Sequence, residues 1–304
     1  MSSWSLGTRK QYSTYIKKWL DHCKATHINS TSPKITEVAD FLSHLFKTSN
    51  VEYSAMNTAR SALSAIIEPI NGQTVGNHPL IKRVMKGIFK TKPALPKYTV
   101  TYDASQVIKY LSSRPVNCDL SIQELTWKLA TLMALLSAQR AQTLHILDLN
   151  FMHKDKDKYI FYINELTKTS RPSFHPEPLE FRSFPQDENI CVVQTLNTYL
   201  DRTKLTRGEC TKLFISVKAP HKAVLTCTIS KWIKSTLAAA GIDITVFTAH
   251  STRSASSSLA KAKGLPVSAI TKAAGWSNSK TFAKHYNKEI CPPVNLGHCL
   301  QESV

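Results

Sequence analysis

The sequence predicts a mainly α protein with one small antiparallel β-sheet, an α+β chain in two parts: a helical bundle over residues 1–95 and a larger mixed domain over 96–304. Three observations carry this. Apolar residues recur at helical spacing through the first part and again through most of the second. Between Leu147 and Phe184 the period shortens to two, the pattern of half-buried strands. Between the two parts, Lys90–Thr101 (KTKPALPKYTVT) holds two prolines and no helical period, which marks it as the linker. A chain of 304 residues has the length for two cores.

In the first part, Ser5–Lys24 carries Tyr12, Tyr15, Ile16, Trp19 and Leu20 on one helical stripe. Thr36 opens a second helix, with Thr36-Glu37 as its cap and Val38, Phe41, Leu42, Leu45 and Phe46 as its apolar face. Ser54 opens a third, with Met56, Leu63, Ile66 and Ile67. The fourth, Pro79–Phe89, has proline in the first turn, where its missing N–H costs nothing. Four helices of this length pack around one small core.

The second part begins with a helix over Ser105–Ser112 and continues with Gln123–Ala138, the most apolar stretch of the chain and therefore a buried helix. It ends at Ser137-Ala138-Gln139-Arg140. A charge directly after a buried helix is costly without a partner, so Arg140 either reaches the surface or is held at the edge of the core to receive an anion. Leu147–Phe151, Tyr159–Leu166 and Leu179–Phe184 read as three strands, with the charged turn HKDKDK between the first two and Lys168 and Arg171 in the Thr167–Pro178 connection. Cys191–Thr203 and Ser230–Ala240 are amphipathic helices. The stretch Thr248–Asn287 holds His250 and Arg253, a short helix, a Gly-Leu-Pro turn, a second helix, Gly275-Trp276 and Tyr286, with Phe282 as the core anchor of the helix that presents Tyr286.

Hydrophobic content of 42% and charged content of 20% are ordinary for a globular protein, but a net charge of +18 is not. Such a surplus favours a polyanion, double-stranded DNA above an anionic membrane. Its densest runs lie in the helical bundle: Arg9, Lys10, Lys17, Lys18 and Lys24 on the first helix, and Lys82, Arg83, Lys86, Lys90, Lys92 and Lys97 at its end without an acid among them. Residues three or four apart share a helix face, and Arg9, Lys10, Lys17, Lys82, Arg83, Lys86 and Lys90 are the expected phosphate contacts. No apolar run approaches the length of a membrane span, and the start MSSWSLGTRKQYS has no apolar signal core, so secretion is not expected. The seven cysteines form no CxxC pair and no metal-type spacing, which makes them free thiols; no metal and no cofactor is expected.

A tyrosine that breaks a phosphodiester must lose its proton, since its ordinary pKa is near ~10. The transition state gathers negative charge on the non-bridging oxygens, for which guanidinium forks suit better than mobile ammonium groups. The departing 5′-oxygen needs a proton. Two arginines, a lysine as acid, a histidine and an indole donor form a set that does this without metal. As a core aromatic Trp276 needs no such role, and Arg171 rivals Lys168, although a guanidinium is a poor acid.

With Arg140 after a buried helix, Lys168 in a strand connection, His250-x-x-Arg253, Gly275-Trp276 and Tyr286, in that order, the chain resembles the tyrosine recombinase (phage integrase) family over most of its length. The segment AGWSNSKTFAKHY looks similar to recombinases of eukaryotic mobile elements, of the DIRS or Crypton kind. The resemblance implies an N-terminal core-binding bundle and a catalytic domain. It implies that Arg140 and Arg253 clamp the scissile phosphate, that His250 hydrogen-bonds it and helps take the proton of Tyr286, and that Lys168 protonates the leaving 5′-hydroxyl. Tyr286 forms a 3′-phosphotyrosyl link that conserves bond energy, so rejoining needs no ATP. Trp276 stands where many members have histidine; its indole donates one hydrogen bond and cannot act as a base. Members commonly carry an acid three residues after the first arginine. Here that residue is Thr143, so Arg140 is expected to be held by backbone carbonyls. A homo-oligomer, a tetramer on paired DNA sites, is implied, with Val294, Leu296 and Leu300 of the tail as subunit contacts. So is a nuclear location in a eukaryote, or the cytoplasm and nucleoid otherwise. Two alternatives share the residues: a type IB topoisomerase-like enzyme, and a domesticated DNA-binding protein that no longer cleaves.

Overall fold

The computed structural model describes residues 4–93, 98–167, 170, 172, 177–276 and 278–291. The chain divides into two compact units, Met1–Pro96 and Lys97–Val304.

The first unit is a four-helix bundle: α1 (Leu6–Thr26), α2 (Ile35–Thr48), α3 (Tyr53–Ser64) and α4 (Pro79–Thr91). Ser5 caps α1 by accepting from Thr8 N at 3.2 Å, and His27 ends it in the left-handed conformation. The second helix starts at Ile35, one residue before the expected cap; Glu37 reaches back to Lys34 N at 2.8 Å instead. The third helix stops at Ser64, so Ile66 and Ile67 lie in the following turn, where Ile67 is still buried. Trp19, Phe41, Leu42, Met56, Leu63 and Ile81 form the core, and the Trp19 indole donates to Ser30 O at 2.9 Å.

The second unit opens with β1 (Val100–Thr101), inside the stretch read as linker, and α5 (Ala104–Ser112). Next come the buried α6 (Ile122–Ser137) and a single turn of helix, α7 (Ala141–His145). The Ser121 hydroxyl accepts from Glu124 N and the Glu124 carboxylate accepts from Ser121 N, which caps α6 from both sides. Three strands follow, β2 (Met152–Lys154), β3 (Lys158–Phe161) and β4 (Leu179–Arg182), in an antiparallel sheet of order β2-β3-β4. Tyr159 faces Phe181 in the register, and Phe161 faces Leu179, on the buried side of the sheet.

The first strand is displaced from its expected place: Leu149–Phe151 is a 3-10 turn. The Asp148 carboxylate accepts from Asn150 N at 3.0 Å and turns the chain before β2 begins. The other two strands are shorter than expected. The remaining elements are α8 (Val192–Thr203), α9 (Thr226–Ala239), which begins before the expected Ser230, α10 (Thr252–Ala262), α11 (Val267–Ala273), α12 (Ser279–His285) and β5 (Glu289–Ile290). Strand β5 pairs with β1 in parallel, a second sheet that the sequence pattern does not announce.

Leu125, Leu129, Leu132 and Met133 place α6 at the centre of the large core, with α8, α9 and α10 packed against it. Helix α10 approaches on small residues: Ser254, Ala255, Ser257 and Ser258 are all buried, with Ala255 in the core cluster of α6 and Ser258 turned to Tyr286 and Lys288. That close approach brings the first turn of α10 to the end of α6. No helix among the described residues is long and apolar enough to cross a membrane.

Candidate active site

The site forms where two helix C-termini meet the start of a third helix. At the end of α6, Ala138 adopts the left-handed conformation and Arg140 becomes the N-cap of α7. At the end of α11, Gly275 takes φ +64°, a conformation that favours glycine, and Trp276 follows. Both ends leave carbonyls without intrahelical partners. Arg253, in the first turn of α10 and fully buried, supplies donors to both: Nη1 to Ala138 O at 2.6 Å and Nη2 to Ala274 O at 2.7 Å. The carbonyl cradle expected for Arg140 is thus made around Arg253. Among the described residues no hydrogen bond or ion pair engages the Arg140 guanidinium, which is half-buried and lines a cavity of about 520 Å³ together with Gln139, Thr143, Tyr162, Thr167 and Gly275. Burial, then the neighbouring charge of Arg140, lowers the pKa of Arg253 to about 10. The group stays charged at neutral pH.

Two aromatic rings close over Arg253. The guanidinium carbon lies 4.6 Å from the centroid of Trp276 and 5.4 Å from that of Tyr286, and the two rings stack at 4.6 Å and 28°. Phe282 and Ile270 complete a small apolar core under Trp276. The Tyr286 hydroxyl meets Nε2 of the exposed His250 at 3.3 Å. Two donors in this cluster, Arg253 Nε and Trp276 Nε1, are buried without a hydrogen-bond partner.

The backbone around Tyr286 is fixed from two sides. Phe282 anchors α12 in the core, and Tyr286 caps the end of that helix. The Ser258 hydroxyl on α10 donates to Tyr286 O at 2.8 Å and accepts from Lys288 N at 3.1 Å. Beyond it, Cys291 N bonds Thr101 O at 2.7 Å, continuing the β1–β5 pairing. The Lys288 ammonium donates to Tyr98 O at 2.9 Å and lies 3.6 Å from the Tyr98 ring centroid. Burial lowers the pKa of Lys288 and raises that of Tyr98.

The structure therefore brings Arg253, His250, Trp276 and Tyr286 into direct contact and sets Arg140 close to Arg253. Lys168 and its rival Arg171 lie outside the described residues, as does the tail with Val294, Leu296 and Leu300; Thr167, the neighbour of Lys168, lines the cavity beside Arg140. Thr143 carries no charge to Arg140 and donates instead to Gln139 Oε1 at 3.2 Å. Gln139, Ser258, Tyr98 and Lys288 support the site, although the sequence does not single them out for it. Only Gln139 carries a signal, a polar residue at the end of an apolar helix.

In the bundle, Arg9, Lys10, Lys17, Lys82, Arg83, Lys86 and Lys90 are all exposed on α1 and α4. None of them pairs with a carboxylate among the described residues, whereas Lys92, part of the same basic run, is tied to Glu52 at 2.9 Å. Lys97 lies outside the described residues.

The Phage integrase family matches residues 105–290, and the phage integrase N-terminal SAM-like domain matches residues 1–77. The chain belongs to the phage integrase (tyrosine recombinase) family. Among solved structures it is similar in fold to the XerH site-specific recombinase in a post-cleavage complex with its palindromic difH substrate, with a TM-score of 0.57 and 16% identity over 88% of this chain and 71% of that one. The Tn1549 transposon integrase in complex with transposon right-end DNA gives 0.56 and 14%, over 88% and 84%. A lambda integrase dimer bound to a COC′ core site gives 0.54 and 15%, over 97% and 76%. A search of curated proteins finds no match.

Proposed function

We propose that this chain is a site-specific DNA recombinase that cuts and rejoins strands through a 3′-phosphotyrosyl intermediate. The observation that carries the reading is the contact of the Tyr286 hydroxyl with His250 Nε2 above a buried, uncompensated Arg253. In the reaction His250 takes the phenol proton, and the phenolate oxygen forms a bond to the scissile phosphorus. The bond from phosphorus to the 5′-oxygen breaks, and that oxygen leaves as a hydroxyl with a proton from Lys168. Arg140 and Arg253 hold the non-bridging oxygens as their charge grows. Arg253 Nε and Trp276 Nε1, unpartnered as the chain stands, offer further donors once Tyr286 moves toward the phosphate. Attack by the 5′-hydroxyl of a partner strand reverses the steps and releases Tyr286. The exposed cations of α1 and α4 hold the duplex by its phosphates. The working form is a homo-oligomer, a tetramer on paired sites, and the compartment is the nucleus in a eukaryotic host or the cytoplasm and nucleoid otherwise.

Incubation with a nicked duplex that loses its short 5′ strand on cleavage tests this. Wild type accumulates a protein–DNA adduct joined at the DNA 3′ end, and Tyr286→Phe binds the same duplex without forming one. An adduct in Tyr286→Phe would overturn the nucleophile. Relaxation of supercoiled plasmid by a monomer, without paired sites, would replace the recombinase by a topoisomerase of the same chemistry.

A further inference from the structure

We infer that Gln139 is a positioning residue for this site: its side-chain amide sets the distance between the turn that carries Arg140 and the turn that carries Trp276. The inference rests on the recombinase reading only for its catalytic consequence. The geometry stands apart from it.

Gln139 is buried between the end of α6 and the end of α11. Its Nε2 donates to Ala273 O at 2.8 Å, and its Oε1 accepts from Thr143 Oγ1 at 3.2 Å. The first bond crosses to α11, 134 residues away in the chain. The second ties down the first turn of α7, whose N-cap is Arg140. The amide thus has one end on each side of the phosphate-binding corner. The two bonds from Arg253 to Ala138 O and Ala274 O run alongside, so residues 138–139 and 273–274 are stitched by adjacent bonds. The approach is close: a Cβ built on Gly275 would stand 3.4 Å from Gln139 Nε2.

The chemistry selects an amide here. One end of the side chain must donate to a carbonyl and the other must accept from a hydroxyl, and among residues of this length only glutamine does both without charge. A carboxylate would face the Ala273 carbonyl with no donor. An apolar side chain would leave that part-buried carbonyl without its partner. Thr143 brings no charge to Arg140. Its hydroxyl instead fixes the Oε1 end of Gln139, and so the orientation of the amide.

The test compares Gln139→Met, Thr143→Val and the double variant in the full chain, by two readouts. The first is the single-turnover rate of adduct formation with DNA affinity measured separately. Gln139→Met should cleave at least about tenfold more slowly with DNA affinity held within about twofold, since a displacement of about 1 Å in a reacting constellation costs about a hundredfold. Thr143→Val should be slower by less, and the double variant no slower than Gln139→Met alone, because both act through one amide. The second readout is amide hydrogen exchange. In Gln139→Met, protection should fall together in the turns at 140–144 and 273–276 while α8 and α9 keep theirs.

Wild-type cleavage and wild-type exchange in Gln139→Met would overturn the inference. So would a loss of protection spread over the whole unit, which marks a general loss of stability, or strictly additive effects of the two substitutions. If wild type itself forms no adduct, the recombinase reading fails, and the exchange pattern alone decides the role of Gln139.

Discussion

Replacing Arg253 with lysine separates the charge of this residue from its fork. The guanidinium donates through Nη1 to Ala138 O and through Nη2 to Ala274 O, both in a place with no exposure to solvent. A hydrogen bond from a charged donor contributes about 1.5–3 kcal/mol net, which gives the fork about 3–6 kcal/mol. Lysine brings the same charge as a point donor on a flexible stem. It reaches one carbonyl and leaves the other buried and unpaired, so Arg253→Lys should destabilise the second unit by about 2–4 kcal/mol. That is a large share of an ordinary domain stability of about 5–15 kcal/mol. Urea unfolding of the full chain, followed by tryptophan emission, measures it: Trp4 and Trp19 report the bundle, and Trp127, Trp232 and Trp276 the second unit. A second-unit unfolding free energy within about 0.5 kcal/mol of wild type, the range of an uneventful surface substitution, would refute the reasoning. It would mean that the carbonyls find other partners and that the fork is free to serve the phosphate alone.

Lys128 gives a prediction of opposite sign. It sits buried in the middle of α6 with no hydrogen-bond partner at Nζ, and burial lowers its pKa to about 8; Asp187 works against the shift and Arg114 with it. A lysine whose pKa is lower in the folded chain than in the unfolded one destabilises the fold at neutral pH, and the penalty lifts as pH rises from about 8 toward the unfolded value of about 10.4. Lys128→Met should therefore stabilise the chain at pH 7, and the wild-type minus variant difference should shrink toward pH 10; a difference independent of pH across that window would sink the argument. On the bundle, the triple substitution of Lys82, Arg83 and Lys86 by alanine removes cations from the exposed face of α4. Each lost phosphate contact lowers the slope of log binding constant against log salt by about 0.9, so fluorescence anisotropy across a salt series should show a slope reduced by about 2–3. An unchanged slope would place the DNA elsewhere.

The bundle and the long helices were readable because helix burial imposes a period, and Trp19, Phe41, Leu42 and Met56 keep it. His250, Arg253, Trp276 and Tyr286 were readable because chemistry restricts residue type. What stayed hidden depends on places where distant segments meet. The β1–β5 pair has two residues in each strand, too short to show a period, and its partners are Val100 with Glu289 and Thr101 with Ile290. Leu147–Phe151 has the alternation of a strand, yet one Asp148 side chain bonded to Asn150 N is enough to turn it. Lys128 interrupts an apolar helix without any sequence mark of the burial that shifts its pKa.

The arginines show the same limit most sharply, and also what the arrangement achieves. From the sequence, the missing acid at Thr143 called for carbonyls around Arg140. In the fold the carbonyls hold Arg253, because the ends of α6 and α11 converge on the first turn of α10. A carboxylate would orient an arginine and also cancel its charge. Helix C-terminal carbonyls carry only partial negative charge, so they orient Arg253 and leave most of its charge in place. Beside Arg140, Thr143 and Gln139 bond to each other with no charge at all and leave its guanidinium unengaged. Among the described residues neither arginine has an ion pair. Two neighbouring cations with uncancelled charge are unfavourable in the free protein, which is why Arg140 lowers the pKa of Arg253. In the proposed reaction that repulsion is relieved when the phosphate arrives between them, and it is relieved most when the phosphate gains charge. In the proposed reaction, a site oriented by neutral groups would therefore favour the transition state of phosphoryl transfer over the resting phosphate.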